Sequence, residues 1–237
     1  MKTVSPVTIC WFRRDLRLSD NPALSAAADR GRVIPVYIDD HDSKAPWAEG
    51  AASRWWTHHS LSSLSRSLTA KGSLLIIRKG QALKMLQSLI AETGATAVFW
   101  NRLYEPSAIR RDSEIKEKLK AVGVEAISHK AGLLLEPHEV ANKQGKPFQV
   151  YTPFWRACYA SLQPEKPLEE PTTIPCPAEW PKQVSLDDLG LLPTISWDST
   201  MRTTWVPGEQ GAHERLADFA KSAVLDYSEK RDIPSVE

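Results

Sequence analysis

Cysteine, glycine and charge of a single sign are all scarce in this chain, and each scarcity excludes something. The three cysteines, Cys10, Cys158 and Cys176, are odd in number and widely separated. They make neither a metal-binding spacing nor a disulfide framework, so a reducing, intracellular setting is expected. Eleven glycines are spread over 237 residues without a Gly-x-Gly-x-x-Gly run or a Walker-type phosphate loop, so a dinucleotide held on glycine amides is not indicated. Thirty basic and twenty-nine acidic side chains leave a formal net charge of +1, which supplies no general field for nucleic acid. No apolar run approaches the roughly 20 residues of a membrane-spanning helix, and the N-terminus lacks a charged-then-apolar leader pattern. A cytoplasmic protein with no membrane partner is expected. No Ser-His-Asp set stands out. His58 and His59 are adjacent, point to different sides of a helix, and are read as packing residues rather than metal ligands.

What the chain does have is alternation. Strands are predicted at Val7–Phe12, Val33–Ile38, Leu74–Arg78, Ala97–Trp100 and Val124–Ser128, each a short, largely apolar run of strand length. Between them Leu61, Leu64 and Leu68, then Leu83, Leu86 and Ile90, then Ile115, Leu119 and Val122 recur at helical spacing. Gly72, Gly80, Gly94 and Gly123 mark element ends. Repeated strand–helix units predict an α/β fold, a Rossmann-like, doubly wound, five-stranded parallel sheet covered on both faces.

After about residue 130 the alternation stops. Leu133–Leu135 and Phe148–Tyr151 flank a polar turn at Asn142–Lys146 and predict a small hairpin, and Pro153 is placed at the first position of a helix with Phe154 and Trp155. Eight of the seventeen prolines lie between 162 and 207, a density that blocks helices and central strands. A connection of that length is usually functional or interdomain. Its apolar anchors, Trp180, Leu189, Leu191, Leu192, Trp197 and Trp205, make it a tethered strap over a domain surface. A last helix, Gly208–Asp226, carries Leu216, Phe219, Ala220 and Ala223 on one face. The expected division is an α/β domain at 1–132, a Pro-rich interdomain connector at 133–207, and the first helix of an incomplete all-α domain at 208–237.

The most specific stretch is Thr8–Leu24. An apolar strand, a charged turn (Arg13, Arg14, Asp15, Arg17) and a helix capped by Asn21 with Pro22 at its first position follow almost without spacer. In open parallel sheets this carboxyl edge is where ligands bind, although Asp15 and Arg17 equally fit an ion-pair cluster bracing the turn. The order Trp-Phe-Arg-x-Asp-Leu-Arg-x-x-Asp-Asn-x-Ala-Leu resembles the opening of the DNA photolyase/cryptochrome flavoproteins, most closely the bacterial photolyases of cyclobutane pyrimidine dimers. The resemblance continues through Glu49–Leu61, Trp100–Pro106, Val150–Arg156 and Tyr227–Pro234.

That resemblance implies an antenna pocket for a second chromophore beside Trp100–Pro106, holding methenyltetrahydrofolate or a deazaflavin. Ser107 and Ala108 stand where a folate-binding group carries Asn-Glu, and Leu103 where deazaflavin binders tend to have an acid, so the chromophore's identity stays open. The pocket candidates are Asp39, Asp40, Trp47 and Glu105. Asp39 and Asp40 end the second strand, either as solvated loop acids or as acceptors for the N–H edge of a pterin or flavin. Trp47, Trp55 and Trp56 are either a packed helix face or a stacking wall for a flat ligand. Tyr227 corresponds to the tyrosine that hydrogen-bonds the FAD phosphates, and Val150–Arg156 belongs at a domain seam.

By the same resemblance a complete member continues for as long again, with a helical domain holding FAD and most of the DNA groove. Its implied activity is light-driven repair, in which reduced FAD lends an electron to a pyrimidine dimer flipped out of DNA. This chain is expected to be the monomeric, light-harvesting N-terminal half, truncated and inactive alone, with neither catalytic residues nor a metal. The alternatives are a cryptochrome-type blue-light signalling flavoprotein and a stand-alone pterin- or nucleotide-binding α/β module.

Overall fold

The computed structural model describes residues 5–40 and 48–234. Five parallel strands, β1 (Val7–Phe12), β2 (Arg32–Asp39), β3 (Ile76–Lys79), β4 (Ala97–Asn101) and β5 (Glu125–His129), form one sheet in the order β3-β2-β1-β4-β5. Helices α1 (Pro22–Arg30), α2 (Ala51–Ala70), α3 (Ala82–Thr93) and α4 (Pro106–Ala121) connect them. The winding reverses at β1, which pairs with β2 on one side and β4 on the other. Helices on either side of such a reversal diverge and leave a crevice at the carboxyl edge.

β1 shows how the sequence builds two cores. Cys10 and Phe12 join one with Leu24, Leu61, Leu64 and Leu68, while Ile9 and Trp11 join the other with Leu86, Leu89, Ile115 and Leu119. A strand sends successive side chains to opposite faces, and with both faces covered every position from Val7 to Phe12 is buried. At the start of α1 the Asn21 side chain accepts from the N–H of Leu24 at 3.1 Å, and Pro22 takes the first position. Such a cap is worth about 1 kcal/mol.

Some expectations shift. β3 starts at Ile76, because this edge strand pairs with β2 only from Val36 onward. Val122 caps α4 and is exposed, so the apolar face of that helix ends at Leu119. No strand forms between β5 and α5 (Tyr151–Ser161) among the described residues. Instead, Asn142 closes a tight turn, its side-chain oxygen accepting the N–H groups of Gln144 and Lys146, which satisfies locally the donors a ladder would have used. Pro153 is the third residue of α5 rather than the first, still within the turn whose N–H groups need no helical partner.

The Pro-rich strap is stitched to the sheet at both ends of one edge. The N–H of Val33 donates to the carbonyl of Pro175 at 2.7 Å, and that of Val184 to Ile77 at 3.1 Å. Ile174, Leu189 and Leu191 are buried in the core beneath α1 and α2, whereas Leu192, Trp197 and Trp205 stay partly exposed. Near its end, in the proline-free stretch between Pro193 and Pro207, the strap does form a short helix, α6 (Ser199–Thr204), and beyond it lie α7 (Glu209–Asp218), a π-helical turn (Phe219–Ala223) and α8 (Tyr227–Lys230). The single helix expected over Gly208–Asp226 is thus interrupted at Asp218, and from Ala212 to Pro234 every residue is exposed. With no packed face, tertiary burial does not hold this segment to one uniform helix.

Candidate functional site

Arg13, the first residue after β1, is buried and turns back across the sheet edge. Its Nη1 donates to both carboxylate oxygens of Asp112 on α4, at 2.9 and 2.8 Å, and its Nη2 to the carbonyl of Asn101. Burial pushes the pKa of Arg13 down, and the facing Asp112 opposes that shift. Asp112 also accepts the indole N–H of Trp100 at 3.0 Å. Asn101 donates to Asp15 at 2.6 Å and Asn21 at 2.8 Å, and accepts the N–H of Ala23 at 3.1 Å. Arg17 donates to the carbonyls of Ser19, Asp20 and Ala131. The charged turn is therefore a brace, but not the expected ion-pair cluster: Asp15 and Arg17 are held mainly by amide and backbone partners.

A cleft of about 490 Å³ opens beside this brace, between the carboxyl ends of β2 and β3, the start of α3 and the flank of α4. Its size suits a small-molecule ligand. Asp39 and Asp40 form one wall, Lys79 and Gly80 another, and Arg111 and Glu114 face them from α4. Gly80 has φ +136° and donates its N–H to the carbonyl of Asp39 at 2.9 Å, a backbone shape that other residues reach only with strain. Asp39 is buried, and Asp40 pairs with Nη1 of Arg111 at 2.7 Å. Behind this wall burial, and then the charge of Asp39, raise the pKa of Tyr37. The guanidinium carbons of Arg111 and Arg13 lie 5.1 and 4.8 Å from the ring centroid of Trp11, which packs edge-on to Trp100 at 5.9 Å.

Of the candidates drawn from the sequence, Asp39 and Asp40 meet in this cleft. Glu105 precedes α4, pairs with the exposed Arg14, and is not among the cleft's lining residues. Trp47 lies outside the described residues. Tyr227 opens α8 half-exposed, its ring 5.8 Å from that of Phe219 and 5.9 Å from the guanidinium of Arg231. Trp55 is buried and donates to Asp198 at 2.8 Å, and Trp56 packs against Trp205 at 5.9 Å, so both serve packing. His58 and His59, expected on different sides of the helix, instead bring their rings edge to face at 5.3 Å, and the described residues hold no metal-binding cluster. Sequence reasoning missed Lys79, Gly80, Arg111 and Glu114. The available signal was weak: Arg111 shares a helix face with Ile115 at i,i+4 spacing.

Fold and cleft together define a doubly wound α/β domain with a cleft, walled in part by acidic and basic side chains, at the carboxyl edge of its sheet. The profile of the DNA photolyase family matches residues 8–175, and the chain belongs to that family. It is 44% identical over 229 residues to the deoxyribodipyrimidine photo-lyase of Agrobacterium fabrum, covering 96% of this chain and 47% of that protein. It is 38% identical over 229 residues to cryptochrome-2 of Arabidopsis thaliana, covering 93% and 37%. A bacterial class III photolyase structure from Agrobacterium tumefaciens matches with a TM-score of 0.92 and 44% identity, covering 99% of this chain and 48% of that one. The chain thus spans about half the length of the photolyases it matches, and less of the cryptochrome.

Proposed function

We propose that this chain is the light-harvesting half of a deoxyribodipyrimidine photolyase and that its cleft takes the antenna chromophore. The observation that carries the reading is the placing of Asp39 and Asp40 side by side in a cleft of chromophore size. Carboxylates there accept charge-assisted hydrogen bonds from the N–H edge of a pterin or flavin ring. Lys79 and Arg111 add positive charge for any anionic part of the ligand. A bound chromophore of this class supplies absorption of blue light. The residues of this chain hold and orient it, and the buried brace of Arg13 and Asp112 keeps α4 in register beneath it.

FAD fits these residues less well. Tyr227 is the one phosphate ligand the resemblance assigns, and it is half-exposed on a segment, Ala212 to Pro234, whose residues are all exposed among the described ones. Repair of pyrimidine dimers in DNA is therefore proposed for a complete protein, through a helical half that packs against exposed rings such as Trp155 and Tyr159. No helix among the described residues is long and apolar enough to cross a membrane. A signalling role of the cryptochrome type is the second reading, supported by the 38% identity to cryptochrome-2; the 44% identity to a photolyase favours repair.

The purified chain is titrated with methenyltetrahydrofolate and with FMN and followed by absorption. Saturable binding to one of them is expected, weaker in Asp39→Asn, and failure of both probes sinks the antenna reading. Titration with FAD and a light-dependent repair assay are expected to be negative. Repair by this chain alone would place the chemistry inside it.

A further inference from the structure

Away from the cleft, two histidines pack beneath the end of the strap. His58 and His59 sit side by side on α2, each partly buried. Their rings meet at 5.3 Å, and the ring of His59 lies 4.4 Å from that of Trp55. One nitrogen of each, Nδ1 of His58 and Nε2 of His59, is buried and makes no hydrogen bond among the described residues. We propose that the pair is a pH-sensitive latch, which seats residues 187–205 of the strap on α2 while both rings are neutral and loosens them when the rings are protonated.

The chemistry of the ring carries the argument. In a neutral imidazole the proton can stand on the other nitrogen and leave the buried one bare. In the imidazolium both nitrogens are N–H donors, so the buried one becomes a donor without an acceptor, which buried groups avoid. Two adjacent imidazoliums also repel each other.

The surrounding charges do not supply the missing partner. From the strap, Asp187 of a 3-10 turn (Asp187–Leu189) faces His58, while Asp198 and Arg202, before and within α6, face His59; Arg66 faces it from α2 itself. The carboxylate of Asp198 is already engaged, accepting the indole N–H of Trp55 at 2.8 Å and Nε of Arg202 at 2.7 Å. Arg202 and Arg66 oppose a positive ring. Burial, joined at His59 by His58 and Arg202, holds both rings below the ordinary value of 6.5 despite Asp187 and Asp198. A value depressed in the folded state gives stability that is full above 6.5 and is lost as pH falls from there to the folded value.

The contact at stake is the attachment of the strap's end to α2, which the pairs Trp55–Asp198 and Trp56–Trp205 both cross. His58 and His59 stand one turn along α2 from Trp55, beside these pairs.

The full chain is followed by amide hydrogen exchange from about pH 7.5 to about pH 5.5, with rates corrected for their intrinsic pH dependence. Protection of residues 187–205 is expected to fall about tenfold across this range. It should stay level in the double variant His58→Gln, His59→Gln, whose side chains cannot gain a charge. Level protection in the wild type overturns the latch. So does an equal fall in the double variant, which assigns the step to another group. Should the double variant not fold, the wild-type imidazole resonances, assigned by the single variants, are titrated instead. Midpoints below 6.5 for both rings, in step with the loss of protection, support the latch, and a midpoint at or above 6.5 for either ring overturns it.

Discussion

The carboxylate of Glu209, the first residue of α7, accepts the backbone N–H of Ser19, 190 positions earlier, at 2.8 Å. It also takes the N–H of Leu18 at 2.8 Å and the hydroxyl of Ser19. The family's most recognisable turn is thereby clamped to the helical extension. Gly208 lets the helix approach, since a Cβ there would lie 2.5 Å from the Ser63 hydroxyl oxygen, and Gly211 lets the chain turn tightly into the helix, since a Cβ there would lie 1.9 Å from the carbonyl oxygen of Val206. Past Gly211 the extension is exposed along its whole described length.

Replacing Glu209 with Ala leaves two partly buried N–H groups without an acceptor, at a cost of about 1–3 kcal/mol. Faster amide exchange at Leu18, Ser19 and the first turn of α7 is expected, with a lower melting temperature. Unchanged exchange at these amides would mean that the clamp contributes nothing.

The clamp also has a pH sign. Burial raises the pKa of Glu209, but the N–H of Leu18, the Ser19 hydroxyl and N–H, and nearby His213 outweigh it, leaving the group below the ordinary 4.5. A pKa depressed in the folded state contributes stability that is full above the unfolded value and is lost as pH falls through the folded one. Attachment of α7 should thus hold at neutral pH and loosen in acid below about 4.5. Exchange of the Leu18 and Ser19 amides measured across this range should show that step in the wild type and not in Glu209→Gln.

Arg13→Met removes one partner of a buried pair and leaves Asp112 with the Trp100 indole and a long contact to Arg111 at 3.4 Å. A loss of about 3–5 kcal/mol is expected in urea denaturation. Combining it with Asp112→Leu should cost less than the sum of the single changes, because no charge is then buried unpaired. Strict additivity would show that the two side chains do not act as a pair.

A fragment ending at residue 132 would uncover the core positions filled by Ile174, Leu189 and Leu191. At about 1.5–3 kcal/mol for each buried aliphatic side chain, the loss is comparable to the whole stability of an ordinary domain, about 5–15 kcal/mol. Cooperative thermal unfolding is expected for residues 1–207 and not for 1–132. A sharp transition in the shorter fragment would make the strap an accessory.

Legibility followed the range of the interactions. β1 matches its expected span end to end because a strand buried on both faces is an unbroken apolar run, here bounded by Pro6 and Arg13. β3 was expected two residues early because Leu74 and Leu75 continue the apolar run, while the ladder with β2 decides where pairing begins. The strap's anchors were half legible: Leu189 and Leu191 are buried as expected, but Ile174, among prolines, is buried too and carries no periodic signal. In the cleft, Asp39 and Asp40 could be read as acids at a strand end. Arg111 could not, since helix register shows which way a residue faces and not what stands opposite.

By itself the sequence determined the alternation of strands and helices, the cap at Asn21, the family, and which acids end β2. The family rests on the resemblance of its motifs, and the rest on periodicities and hydrogen bonds spanning a few residues. Only the tertiary structure decided that Arg111 meets Asp40 across 71 positions, and that Glu209 meets Ser19 across 190. Such contacts exist because the sheet order brings distant chain ends together and because buried charges and N–H groups must find partners there, a requirement with no local pattern to announce it.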